Sequence, residues 1–333
     1  MADASVVPAT PHAGHGAQRR RRWKLFTRAL GIAFLLLVCG AVALYLRKVE
    51  WQPVLAALRD YHSGTLALAA ALAVASCLLY ASFDLLSRHE VGHRLAAPWV
   101  LAVAFSSYTI NLNLGTWIGS LGMRLRLYPR LGVHSTDVLR IVALTTVTNW
   151  QGYFALAGVA LALYPPARLP EDWPVAPDAL RLAGVLLLGV ATSYCALCAF
   201  AKRRTVTIRK FRLHLPSFRF SLLQTAVAAA NWLLIALVPY TLMHAHVSFQ
   251  AMIVALLLAC SAGAIAHIPA GLGVIEAVLL AMLGRDVPTP HLVAGLLAYR
   301  AVYYLWPFAL GLATFGITEL LIRRRALPAA AAP

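Results

Sequence analysis

Charge is what this 333-residue chain has least of. Only 12% of its residues are charged, and acids are the rarer kind: 12 Asp and Glu against 29 Lys and Arg, a formal net charge of +17. With 61% hydrophobic residues and a mean hydropathy of +0.73, the composition excludes a soluble globular domain and indicates a polytopic membrane protein. A surplus of positive charge would suit nucleic acid. Here the basic residues cluster beside apolar runs, as in loops facing anionic lipid on the cytoplasmic side, and no nucleic-acid partner is expected. Cysteine is also sparse. All five (Cys39, Cys77, Cys195, Cys198, Cys260) fall inside apolar segments, so no disulfide framework is expected and Cys195-x-x-Cys198 reads as helix packing. No metal and no cofactor are expected.

The apolar runs and basic clusters give a topology. Residues 1–24 read as a disordered, basic, cytoplasmic N-terminus ending in Arg19-Arg-Arg-Arg22-Trp23-Lys24, and Leu25 to Leu46 is long enough to span. Trp51 to Arg59 reads as an interfacial amphipathic turn. Gly64 to Leu86 returns inward to Arg88, His89, His93 and Arg94. Pro98 to Gly122 begins apolar, then carries Asn111, Asn113, Gly115 and Gly119, and is followed by Arg124, Arg126, Arg130 and Arg140. If it crossed, those arginines would lie outside. A re-entrant hairpin from the cytoplasmic face avoids this. Asp137 to Tyr164 crosses outward, Ala179 to Phe200 returns, and Lys202 to Arg219 is a strongly basic inner loop. Phe220 to Met243 crosses again, and His291 to Leu321 ends at Arg323-Arg324-Arg325, which assigns residues 323–333 to a cytoplasmic tail.

For that last span to end inside, Gln250 to Gly284 must start and finish outside, as a second hairpin of opposite orientation. The expected fold is therefore all-α, a polytopic membrane protein with six full spans and two opposed re-entrant helical hairpins. A shift of about 156 residues lays the half 25–164 on the half 179–321, a possible inverted repeat read from hydropathy spacing.

The second hairpin holds the most unusual stretch, Ala266-His-Ile-Pro269-Ala270-Gly271-Leu-Gly273-Val-Ile-Glu276. Broken helices at membrane depth expose helix ends and backbone groups, which is how transporters build polar sites. A carboxylate there needs a partner, and Arg300 in the final span is the candidate. The pair either only holds the fold or, with Arg124 or Arg126 from the first hairpin, receives a phosphate, for which the planar, permanently charged guanidinium is suited. Asn111, Asn113, Asn149 and Asn231 line the same path or simply bond neighbouring helices. His89-Glu90-Val91-Gly92-His93 matches the helical zinc motif H-E-x-x-H, but in a short basic loop with an internal Gly it reads better as solvated surface.

These residues also carry a resemblance. Pro269-Ala-Gly271-Leu-Gly273-Val-Ile-Glu276 resembles the Pro-Gly-Gly-Leu-Gly-x-x-Glu signature of the flippase-like, lysylphosphatidylglycerol synthase transmembrane-domain family. Phe83-Asp84-Leu-Leu, Asn111-x-Asn113-Leu-Gly115 and Arg124-x-Arg126-Leu-Tyr128-x-Arg130-Leu-Gly132 resemble its bacterial inner-membrane branch. The departure is Ala270, where the signature often has Gly. The resemblance covers roughly residues 25 to 322. It implies an inner-membrane protein that moves or handles an anionic or zwitterionic lipid between leaflets, without the aminoacyl-transferase chemistry and so not an enzyme; the basic clusters at Arg19–Arg22 and Arg323–Arg325 assign both termini to the cytoplasm. Its headgroup site would be Glu276, Arg300, Arg124 and Arg126, framed by Asn111, Asn113, Pro269, Gly271 and Gly273. The expected partners are membrane lipids, with a homo-oligomer or a lipid-modifying enzyme as further possibilities. The alternatives are a non-transporting scaffold for such an enzyme and an intramembrane metalloprotease using His89 and His93. No nucleotide-binding loop is seen, so energy would come from a gradient or from downhill movement.

Overall fold

The computed structural model describes residues 51–330 apart from 167–168, 170–172, 174–175, 202–204, 209–210, 215, 244–246 and 267, with the backbone alone at 51, 205–208, 211–214, 269 and 325–330. The expected basic N-terminus and first span, Leu25 to Leu46, lie outside the described residues. What is described is a membrane-type helical bundle. Five helical segments are long and apolar enough to cross a bilayer: Ser63–Val91, Pro177–Phe200, Phe218–Met243, Phe249–Ala266 and Thr289–Arg324.

α1 (Trp51–Arg59) is the short amphipathic helix expected there, with Val54 buried. α2 (Ser63–Val91) follows, and its two ends name the two ends of the bundle, the Tyr61 end and the Val91 end. α3 (Ala97–Leu114) starts at the Val91 end with Pro98 in its first turn, where a missing N–H costs nothing. It stops at Gly115, whose φ of 83° and ψ of 169° suit glycine alone. The chain then doubles back along α3 as a π-helical turn, Trp117–Gly122, and α4 (Met123–Leu127), ending in a 3-10 turn, Pro129–Leu131. The return is so close that a Cβ on Gly119 would lie 2.1 Å from the Asn111 nitrogen. Leu127, Tyr128 and Val133 then bury against Val138 and Ile322 at the Val91 end. The segment enters and leaves on one side, as the charge bias required.

α5 (Ser135–Leu163) runs back toward the Tyr61 end. Its buried Thr145, Thr148 and Gln151 lower its hydropathy but are bonded within the bundle. α6 (Pro177–Phe200) returns along α5, and the contact is intimate: a Cβ on Gly158 would sit 2.7 Å from the Leu188 nitrogen, and one on Gly184 2.6 Å from the Ala162 nitrogen. Small residues allow this approach, which stabilises helix pairs where hydrophobicity cannot. The basic loop after α6 is not wholly irregular. It carries an antiparallel pair, β1 (Thr205–Ile208) and β2 (Phe211–His214), with Thr205 opposite His214 and Ile208 opposite Phe211. The run Thr205-Val-Thr-Ile208 is β-branched throughout, and the two-residue connection suits a hairpin.

α7 (Phe218–Met243) goes to the Tyr61 end. There the second hairpin begins, with the Phe249 ring 5.2 Å from that of Tyr240. It comprises α8 (Phe249–Ala266), a 3-10 turn at Pro269–Gly271 and α9 (Val274–Leu283), which packs back on α8. At 10 residues, α9 rises about 15 Å, half of a roughly 30 Å hydrocarbon core. The hairpin leaves at Val287, which shares a cavity wall with Tyr61 and Met243. The last crossing is α10 (Thr289–Tyr299), a π-helical turn, Arg300–Leu305, and α11 (Trp306–Ala330), so the expected tail from residue 323 continues as helix to Ala330.

The two hairpins thus enter from opposite ends, and α3 touches the Pro269–Gly271 turn of the other. In element order, α2, the first hairpin and α5 are followed later in the chain by α7, the second hairpin and α10–α11.

Candidate functional site

The second hairpin's tip is built from backbone that helices do not use. Ala270 (φ 57°), Gly271 (φ 58°) and Gly273 (φ 78°) all have positive φ, and Ala270 is the single non-glycine residue to do so among those described. This turn frees carbonyls and N–H groups at membrane depth, which must find partners. They find them in one ion pair. Glu276, in the first turn of α9, accepts the Gly273 N–H at 2.8 Å and the Arg300 Nε–H at 2.5 Å on its two oxygens. A carboxylate in the first turn also faces the positive end of the helix dipole. Arg300 spends its other arms on the tip, donating to the Ala270 carbonyl at 2.7 Å and the Gly271 carbonyl at 3.3 Å, and its guanidinium lies 4.3 Å from the Tyr304 ring centre.

The pair is not sealed. The side chains of Arg300 and Glu276 are 15% and 26% exposed. On the same elements Ile265, Leu272 and Leu305 present apolar surface, and Trp117, at the tip of the first hairpin, is 83% exposed. A partly exposed charged centre on elements that carry exposed apolar side chains suits an amphiphile.

Arg124 and Arg126 do not join this centre. Arg124 is fully buried, and both faces of its fork are taken: Nε and Nη2 donate to Asp84 at 2.9 and 2.8 Å, and Nη1 donates to the Ser120 carbonyl and hydroxyl. Tyr128 and Thr145 complete the carboxylate's shell. This network ties α2, the returning arm of the first hairpin and α5 together, and its complete burial closes it to a headgroup. Arg126, one helical half-turn on, is surface-exposed at the Val91 end, 3.9 Å from Glu319 and over Phe315. Glu319 lies 19 residues beyond Arg300 on the last crossing, about 28 Å along the axis. The four residues expected to share one headgroup site therefore fall in three places. Asp84, the partner that fixes Arg124, is the residue sequence reasoning passed over, although an acid inside an apolar span was its visible signal.

The asparagines divide as well. Asn113 donates to the Thr109 and Tyr304 carbonyls and so joins the first hairpin to the π-helical turn after Arg300. Asn111 packs against Gly119 within its own hairpin, and its buried Oδ1 has no bonding partner. Asn231 accepts from Ser76, which meets Tyr303, whose hydroxyl reaches Tyr108 at 3.0 Å. The backbone carbonyl of Asn149 takes the Trp232 N–H. A cavity of about 300 Å³ opens at the Tyr61 end between α1, α7 and α10, lined by Asp60, Tyr61, Met243, Val287 and His291. Ala294 in its wall is six residues, about 9 Å, before Arg300.

The H-E-x-x-H pentad makes no helical two-histidine face. α2 ends at Gly92, which is left-handed at φ 82°, so His93 lies beyond the helix that carries the exposed His89. Among the described residues no group of three or more His, Cys, Asp or Glu is arranged to hold a metal.

Comparison with known proteins agrees with this architecture. The chain is 40% identical over 299 residues to the inner membrane protein YbhN of Escherichia coli (strain K12), covering 90% of this chain and 94% of that one. It is 28% identical over 305 residues to the uncharacterized protein slr0712 of a Synechocystis species, covering 91% and 94%. A shorter stretch of 92 residues, 26% of this chain, is 35% identical to phosphatidylglycerol lysyltransferase of Staphylococcus aureus (strain COL), of which it covers 11%. The model of the lysylphosphatidylglycerol synthase TM region matches residues 28–311. With two opposed hairpins meeting at a Gly-rich turn and a match over most of its length, the chain belongs to the lysylphosphatidylglycerol synthase transmembrane-region family.

Proposed function

We propose that this protein moves an anionic or zwitterionic phospholipid between the leaflets of a bacterial cytoplasmic membrane, binding the headgroup at Arg300 and Glu276. It does so without covalent chemistry. The observation that carries this reading is the meeting of two opposed hairpins at a partly exposed ion pair. The broken turn exposes helix ends and backbone groups to a headgroup, and Arg300 keeps one N–H on each of Nη1 and Nη2 for a phosphate beyond those spent on the tip. We read the Val91 end, with Arg88, Arg94, Arg126, Arg130, Arg140, Arg323 and Arg324, as cytoplasmic; this supports a cytoplasmic C-terminus, and the basic run Arg19–Arg22 before the apolar run from Leu25 supports the same side for the N-terminus. Phosphatidylglycerol is the first lipid to try, because the Staphylococcus aureus relative is by name a phosphatidylglycerol lysyltransferase.

The test is a leaflet assay in liposomes with fluorescent phosphatidylglycerol and dithionite quenching. Wild type is expected to expose the protected half rapidly, and Arg300→Gln to slow this at least tenfold at equal reconstitution. No movement of any lipid by well-folded wild type overturns the reading.

One observation favours a second reading. All three arms of Arg300 are already bonded to the hairpin tip, as a purely structural clamp would require. In a scaffold for a lipid-modifying enzyme, Glu276→Gln and Arg300→Gln lose stability together, and lipid sidedness is unchanged once expression is matched.

A further inference from the structure

At the Val91 end, one carboxylate serves three guanidinium groups. Glu319 on α11 takes Arg130 Nη1 on Oε2 at 2.5 Å and Arg323 Nε on Oε1 at 3.2 Å, with Arg126 Nη2 3.9 Å from that same Oε1. The balance is two positive charges in excess. The other acids at this end are engaged elsewhere: Glu90 faces His89, Asp137 binds Arg140, and Asp84 is buried on Arg124. Arg126 Nη2 is too far from Glu319 for a hydrogen bond, and Arg323 uses only its Nε there, so donors on both guanidinium groups are left for a ligand; the two side chains are 56% and 66% exposed. Both lie within 4 Å of one oxygen, close enough for a single phosphate to span them.

The helix below is shaped for what a phosphate would be attached to. Leu312, Gly316 and Leu320 follow at four-residue spacing beneath Arg323, on one face of α11. Both leucines are exposed, and a Cβ on Gly316 would meet nothing within 4 Å. The crossing starts at Thr289, so Glu319 stands about 45 Å along it, at the headgroup level of the Val91 leaflet.

The geometry points to a second lipid site: a glycerophospholipid with a net negative headgroup docks with its phosphate between Arg126 and Arg323 and an acyl chain along Leu320, Gly316 and Leu312. Arg126 belongs to the first hairpin and Arg323 to α11, so the bound phosphate braces one against the other, competing with Glu319 for the same donors. The site is about 28 Å from Arg300 and does not depend on translocation.

The experiment is a thermal-shift titration in non-ionic detergent, made in an Arg300→Gln background to remove the hairpin guanidinium as a competing anion site. The probes are dioctanoyl-phosphatidylglycerol, dioctanoyl-phosphatidylcholine and sn-glycerol 3-phosphate. The expected result is a saturable rise in melting temperature with the phosphatidylglycerol alone, at least tenfold weaker in Arg126→Gln/Arg323→Gln. Glu319→Gln, which removes the competing carboxylate, is expected to tighten binding. Unchanged affinity in the double variant overturns the site. Equal response to phosphatidylcholine overturns its charge selectivity, and a full response to glycerol phosphate reassigns it to a free anion. If the double variant does not fold, failure of Glu319→Gln to tighten binding is equally decisive against it.

Discussion

At the residue scale, Ala270 departs from the glycine the family signature often carries, and it holds a left-handed conformation. An L-residue there costs about 1–2 kcal/mol against glycine, while glycine's freer unfolded chain returns about 0.4–1 kcal/mol. The difference makes Ala270→Gly stabilising by up to about 1.6 kcal/mol, read as a small rise in melting temperature, whereas Ala270→Val should lower it. The Arg300 bond to the Ala270 carbonyl holds the strained turn, so Arg300→Gln should enlarge the benefit of Ala270→Gly. His93 supplies a pH prediction. Burial, then the charge of Arg88, push its imidazole below its ordinary value, against smaller upward pulls from Asp137 and Asp84. Since the unfolded chain takes up the proton first, stability is full above about pH 6.5 and declines as pH falls toward the lower folded value. Melting temperature measured from pH 8 to pH 5 should therefore fall less in His93→Gln than in wild type.

Among the elements, the first hairpin is secured by a buried charge pair and the second by one open to its surroundings. Removing one partner of a fully buried pair costs about 3–5 kcal/mol, while replacing both by apolar residues is often far milder. Arg124→Leu should thus unfold much of the protein at temperatures where Asp84→Leu/Arg124→Leu survives; similar losses in both would mean the pair itself supplies net stability. Existence and direction of both hairpins were legible in the sequence, because a crossing helix before Arg124, Arg126, Arg130 and Arg140 would violate the charge bias. The fate of the two arginines was half legible. Two residues apart on a helix is about 200° of rotation, so Arg124 and Arg126 face opposite ways and cannot serve one headgroup. Asp84, 40 positions away on another helix, was not legible as the partner, since periodicity within a helix says nothing of its height against a neighbour.

For the whole molecule, spacing of apolar runs was enough to place the long described helices, since bilayer thickness sets helix length regardless of residue identity. It did not reveal the β1–β2 pair in the basic loop, where charge masked a β-branched run. Nor did it show that the last crossing carries a π-helical turn beginning at Arg300 itself, a local irregularity that sets where Tyr303 and Tyr304 point. One feature of the packing bears on how such a chain is made. The first hairpin is covered by the last helix: a Cβ on Gly311 would collide with the Thr109 hydroxyl, and Asn113 bonds to the Tyr304 carbonyl. During synthesis, residues 97–127 emerge nearly 180 positions before their cover. Until that cover reaches the bilayer, the Asn113 bond to Tyr304 and the Thr109 contact with Gly311 are missing, and the first hairpin is left uncovered on that side. A chain truncated before Trp306 should accordingly be degraded from its N-terminal half, seen as protease cleavage between residues 110 and 130 that the full-length protein resists.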